Sequence, residues 1–187
     1  MENTEDISQK PLDSNRKKNK KNTAIKKRLT YILMGLFLAV VCFFSYFMPI
    51  LRIYGSSMSP TLTDGDIVIT MKTQRTETGD ILVFDYNGKT LIRRCIAKSG
   101  DWVNIDTNGN VFVNNTKVNE PYTYRKAVGE CDITFPYQVP ENTLFVMGDN
   151  RGISLDSRLR EIGCVSKEQV QGKMICIIFP LRKFKIG

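Results

Sequence analysis

Two hydroxyl-bearing segments and a pair of arginines hold most of the chemistry in this 187-residue chain. The first segment is Tyr54-Gly55-Ser56-Ser57-Met58-Ser59-Pro60-Thr61-Leu62. Glycine lets backbone approach a ligand closely and Pro60 fixes the chain just after the serines, as a nucleophile turn requires. Taken alone, the segment reads more readily as a Ser-rich linker between helix and domain. The second runs Met147-Gly148-Asp149-Asn150-Arg151-Gly152-Ile153-Ser154-Leu155-Asp156-Ser157-Arg158, five charged or amide side chains and two hydroxyls in twelve residues. That density suits a buried polar network bracing a site better than a surface turn. Between the two lies Leu91-Ile92-Arg93-Arg94-Cys95-Ile96-Ala97. Adjacent residues of a strand point to opposite faces, so at least one arginine is expected to meet an acid inside, with Asp149 and Asp156 as candidates.

The histidine count is zero, which removes His-based acid–base chemistry, Ser-His-Asp and Cys-His arrangements, and most zinc sites. A catalytic cysteine would lack an activating partner. Cys95 and Cys176 lie in apolar runs and read as packed thiols, leaving Cys131 with Cys164 as a candidate pair. No CxxC spacing is present to suggest a metal, and no cofactor is expected. A serine hydrolase built from this composition must move protons with something else.

The elements that position these residues follow from charge and hydropathy. Residues 1–30 carry nine Lys/Arg and four Asp/Glu, a local +5, against 18 and 15 in residues 31–187, a local +3. Eight of the nine basic residues crowd between Arg16 and Arg28, a block expected to be solvated. Residues 31–51 follow without a charge, and 21 helical residues rising about 1.5 Å each cross a hydrocarbon core of about 30 Å. The expected organisation is a basic cytoplasmic tail (1–30), a transmembrane helix (31–51) and an extracytoplasmic domain (52–187), oriented by the positive-inside rule. The partner of the basic charge is then the lipid bilayer, not nucleic acid.

The domain reads as mostly β. Alternating or apolar runs recur at 66–70, 80–86, 90–97, 101–106, 110–115, 143–147 and 173–179, punctuated by Gly, Asn, Asp and Pro. A hairpin is expected around Asn108-Gly109, a short helix is a candidate over 158–171, and 114–141 reads as an insertion or extended loops.

The blocks GSSMSPTL, GDILVF, RRCIAKSGD and GDNRGISLDSR occur in that order, followed by GKMICIIFPL. Together they resemble the type I signal peptidase family, particularly its short Gram-positive bacterial members, over residues 27 to 180. The resemblance implies a mostly β domain on one N-terminal transmembrane helix, and a serine endopeptidase that removes the signal peptides of preproteins after small side chains. It implies Ser57 as nucleophile, with its own N–H and a contribution near Gly55 as the oxyanion hole, and Ser154 as the hydroxyl orienting the base. Arg94, Asp149, Asp156 and Arg158 correspond to the supporting network, and Ile53, Tyr54 and Ile92 to the border of shallow substrate pockets. The general base of the family is a lysine, and its position here is Arg93. Arginine stays protonated and has no acceptor lone pair. Two readings follow: a working signal peptidase I, or an impaired relative that binds signal peptides or a partner peptidase. Lys89 and Lys98 are the nearest substitutes in sequence.

Overall fold

An uncharged apolar run favours a helix in lipid, because every backbone donor and acceptor must find its partner within the segment. In the structure, a computed structural model describing residues 6–180, helix α1 runs Asp6–Phe47. Its membrane-length part is Ile25–Phe47, 23 residues with none of the apolar window buried, extending about 35 Å. The helix begins well before the apolar run and stops four residues before that run ends. Pro49 accounts for the stop, since the residue preceding a proline is driven out of the α region. The helix and the rest of the chain form separate compact units, divided between Tyr46 and Phe47.

The second unit is built of strands: β1 (Ile50–Arg52), β2 (Ile67–Met71), β3 (Ile81–Tyr86), β4 (Lys89–Lys98), β5 (Trp102–Ile105), β6 (Val111–Val113), β7 (Thr116–Lys117), β8 (Tyr137–Gln138), β9 (Thr143–Met147), β10 (Val165–Ser166) and β11 (Val170–Phe179). The seven runs read from the sequence correspond to β2 to β6, β9 and β11, with ends shifted by up to three residues. The short helix expected over 158–171 is absent. Val165 instead pairs with Leu144 and Val170 with Phe84, so the stretch is drawn into β10 and the start of β11. Segment 114–141 is mostly irregular but contributes β7 and β8.

Seven strands form one antiparallel sheet in the order β1-β2-β11-β3-β4-β9-β10, and four form a second in the order β7-β6-β5-β8. The β5–β6 connection is the expected hairpin, with Gly109 at φ +75° and the Asp106 carboxylate accepting from the amides of Asn108 and Asn110. Ile96, Ala97, Phe145 and Met147 of the large sheet pack against Val103, Ile105 and Val111 of the small one. Leu82, Phe84, Cys95, Leu144, Val146, Val165 and Val170 make another cluster. A third, of Ile53, Met58, Leu62, Val68, Ile81, Met174 and Ile177, lies under the serine-rich turn. Strand β4 lies between β3 and β9, and that central position buries both of its arginines.

Candidate active site

The serine-rich segment is a turn pinned from below. Met58 and Leu62, 2% and 0% exposed, plug into the cluster beneath it. The Leu62 amide donates to the Met58 carbonyl, and the Thr63 amide to the Asp66 carboxylate. Ser57 is thereby held half-buried beside a fixed Met58. Gly55 adopts φ +84°, a conformation glycine takes without penalty. Its amide donates to Asp64 Oδ1 at 2.8 Å. The contribution expected near Gly55 to an oxyanion hole is therefore not met by that amide, which is already engaged. The Ser57 amide has no partner among the described residues.

Strand β4 brings Arg93 to Ser57. Nη1 of Arg93 donates to Ser57 Oγ at 2.9 Å and to the Ile92 carbonyl at 2.6 Å, while Nε donates to the Leu155 carbonyl at 2.9 Å. One guanidinium thus touches all three sequence blocks. It is 7% exposed, and burial pulls its pKa below the ordinary arginine value, against the opposing attraction of Asp156. A guanidinium lowered from so high a starting point still carries its proton at neutral pH. Ile53, Tyr54, Gly55, Ser57, Ile92 and Arg93 line one cavity of about 330 Å³, so the expected border residues and the expected nucleophile are brought together.

The network behind the site includes the ion pairs of Arg94 and Arg158. Arg94 grips Asp149 through Nε and Nη2 at 2.8 and 2.7 Å, so Asp149 is the acid that an arginine of the pair was expected to meet. Asp156 instead accepts Nε and Nη2 of Arg158, both at 2.8 Å, along with the Gly148 amide. The two hydroxyl-bearing segments are stitched directly: Thr61 Oγ1 donates to Asp149, and the Asn150 amide donates to the Ser57 carbonyl at 3.0 Å.

Ser154 departs from expectation. Its hydroxyl is buried and has no hydrogen-bond partner among the described residues, and Arg93 is oriented by the Leu155 carbonyl instead. The guanidinium is wider than an ammonium and takes its bonds in a fixed fork, which the adjacent carbonyl satisfies. Ser154 packs against Gly148, where an added Cβ would collide with the Ser154 hydroxyl and come within 2.5 Å of the Ser57 carbonyl. Gly148→Ala is accordingly expected to displace Ser57 and to lower the midpoint of thermal unfolding. The check is a melting curve together with peptide binding, and an unchanged value of both would contradict this packing.

Sequence reasoning missed Glu120, Tyr122, Thr61, Asn150 and Leu155. Glu120 pairs with Arg151, both side chains fully buried, and the Tyr122 ring lies 4.0 Å from the Arg94 guanidinium carbon. Burial, with Glu120 nearby, pushes the Tyr122 hydroxyl up to about 12. The loop 114–141 is therefore bonded into the site's support. Neither of the lysines nearest to Arg93 in sequence stands at the site. Lys98 binds Glu77 at 2.6 Å, Lys89 is exposed at the start of β4, and neither lines the cavity. The five cysteines are unpaired. Cys131 and Cys164, the candidate pair, rest instead on the Ile133 carbonyl and the Tyr137 hydroxyl. Cys95 is buried as a packed thiol, pushed up to about 12 first by that burial. Among the described residues no cluster suited to a metal ion occurs.

Comparison with known proteins bears on this geometry. A family model described as signal peptidase, peptidase S26, matches residues 25–179. Signal peptidase I of Bacillus licheniformis is 33% identical over 180 residues, covering 89% of this chain and 95% of that protein. Signal peptidase I U of Bacillus subtilis strain 168 is 32% identical over 186 residues, covering 89% and 98% respectively. A crystal structure of a signal peptidase I from Enterococcus faecalis V583 is 26% identical with a TM-score of 0.45, covering 53% of this chain and 96% of that one.

Proposed function

The chain belongs to the signal peptidase family, peptidase S26, and from that premise we propose that Ser57 is the nucleophile of a serine endopeptidase that cuts signal peptides from preproteins after small residues. Arg93 stands in the place of the family's base. The observation carrying this reading is the 2.9 Å bond from Arg93 Nη1 to Ser57 Oγ beside a cavity walled by Ile53, Met58 and Ile92. A cavity of about 330 Å³ with those walls suits a small apolar side chain next to the bond to be cut.

In this mechanism Ser57 Oγ attacks the scissile carbonyl carbon, forming the C–O bond as the carbonyl π pair moves onto oxygen. The Ser57 amide supports that oxyanion. The C–N bond then breaks, the amine takes a proton, and water hydrolyses the ester to free the serine. Arg93 has no lone pair with which to take the hydroxyl proton. Its charge instead favours the alkoxide, and the proton passes to solvent. Turnover by this route is slow, because a missing general base costs about 10²–10⁴-fold. The anchor places this chemistry at a membrane surface: residues 1–30 on the cytoplasmic side, held to anionic headgroups by their charge, 31–51 in the bilayer and 52–187 outside.

The test uses the full chain in detergent with a preprotein bearing a signal peptide. Slow cleavage that disappears in Ser57→Ala is expected. Equal product from both proteins would sink the assignment of Ser57.

A further inference from the structure

The cavity beside Ser57 is lined by two charged residues, Arg52 and Arg93, and by no acid. Arg52 is exposed and lies 5.7 Å from the Tyr54 ring centroid, whereas Arg93 is clamped by its bonds to Ile92 and Leu155. Apart from one lone pair on Ser57 Oγ, the hydrogen-bonding groups left over on the Ser57 hydroxyl and amide and the Arg93 guanidinium are donors. Ser57 Oγ accepts from Arg93, so its own proton is unengaged, and neither the Ser57 amide nor Arg93 Nη2 has a partner among the described residues. A neutral peptide carbonyl would satisfy one of these donors. A carboxylate, with two oxygens and a full charge, would satisfy two or three at once, and the planar guanidinium is the side chain best shaped to hold it.

We propose that this site is a receptor for the free C-terminal carboxylate of a peptide ending in a small apolar residue, the carboxylate lying on Arg93 and Ser57 and the terminal side chain in the cavity walled by Ile53, Met58 and Ile92. The inference rests on the cavity being a signal-peptide site, and it names which form of the peptide the site prefers. In a signal peptide such an end exists only after the bond joining it to the rest of the preprotein has been hydrolysed. The ligand is thus the product of an endopeptidase that cuts after small residues, whether this chain or another. A lysine able to lose its proton at this position would give up its hold on a carboxylate; Arg93 retains its charge and keeps the product.

The experiment compares two fluorescein-labelled peptides of one sequence ending in Ala-Ser-Ala, one with a free carboxylate and one with a C-terminal amide. Binding to the full chain in detergent is followed by anisotropy. The acid is expected to bind at least about tenfold more tightly than the amide, the range for one charge-assisted hydrogen bond. Arg93→Gln should bring the acid down to the affinity of the amide. Equal affinity of acid and amide for the unmodified protein would overturn the proposal while leaving the peptide site intact, and it needs no variant to fold. If inorganic phosphate displaced the acid as well as unlabelled acid peptide does, the site would be reading charge alone, and the proposal would also fail. Absence of binding by either peptide would remove the signal-peptide site together with the inference.

Discussion

Arg93→Lys is expected to raise the rate of preprotein cleavage by about 10²–10⁴-fold, the usual contribution of a positioned general base. The surroundings are already arranged for it. Position 93 is buried, and burial favours the uncharged form of a lysine as it pulls down the arginine there now. Strand β4 presents the side chain at this point to Ser57, with Arg93 Nη1 2.9 Å from Ser57 Oγ. The Ser154 hydroxyl, buried without a partner, would acquire a purpose as an acceptor that orients the ammonium. The sign of the pH dependence follows. The base form of lysine is needed, so activity of the variant should rise with pH and level off above a pKa lower than the ordinary lysine value of about 10.4. The unmodified protein should show no such plateau, since its proton leaves to solvent. Asp156 favours the protonated form of residue 93; adding Asp156→Asn to the lysine variant should therefore move the profile toward lower pH. Measured rates of the single variant against pH decide the matter. No gain in rate over the unmodified protein would mean that Arg93 does not stand at the base position.

What could be read from the residues was what repeats or what concentrates. Strands β2 to β5, β9 and β11 alternate or run apolar over enough residues to show a period, and the three-residue β6 lies within the longer alternating run 110–115, whereas β1, β7, β8 and β10 have two or three residues and no such run around them. The acid facing one or other of the paired arginines narrows to two candidates because few carboxylates lie in a dense polar block. Choosing Asp149 over Asp156 required the register in which Arg94 pairs with Met147. The partner that orients Arg93 was invisible for another reason: it is the backbone carbonyl of Leu155, and a carbonyl has no side-chain signature. Glu120 was hidden in the same way. An acid beside Pro121 in an irregular loop looks like a solvated turn, and only the folded chain brings it to Arg151. Pro49 could have located the end of α1, but the uncharged run continued past it and overrode the break.

The largest loss of stability is expected from Asp156→Ala. Arg158 and Asp156 are both fully buried, and among the described residues the guanidinium has no other carboxylate partner. The carbonyls of Val128, Arg151 and Ser154 accept its remaining N–H groups, yet none of them neutralises its charge. Removing the carboxylate leaves that charge in a low-dielectric interior, for which breaking a buried pair typically costs about 3–5 kcal/mol. It also strips the Gly148 amide of its acceptor, next to the glycine that abuts Ser57 and Ser154. For a domain of this size the unfolding midpoint should fall by roughly 10 °C or more. Asp156→Asn keeps an oxygen for one of these donors and should cost less. Replacing both partners with apolar residues of similar shape should restore part of the loss, because it is the unpaired charge that is expensive and not the missing attraction. Melting curves of the full chain in detergent test this ordering. A double variant less stable than Asp156→Ala would show instead that the pair's geometry, and not its charge balance, holds this part of the domain together.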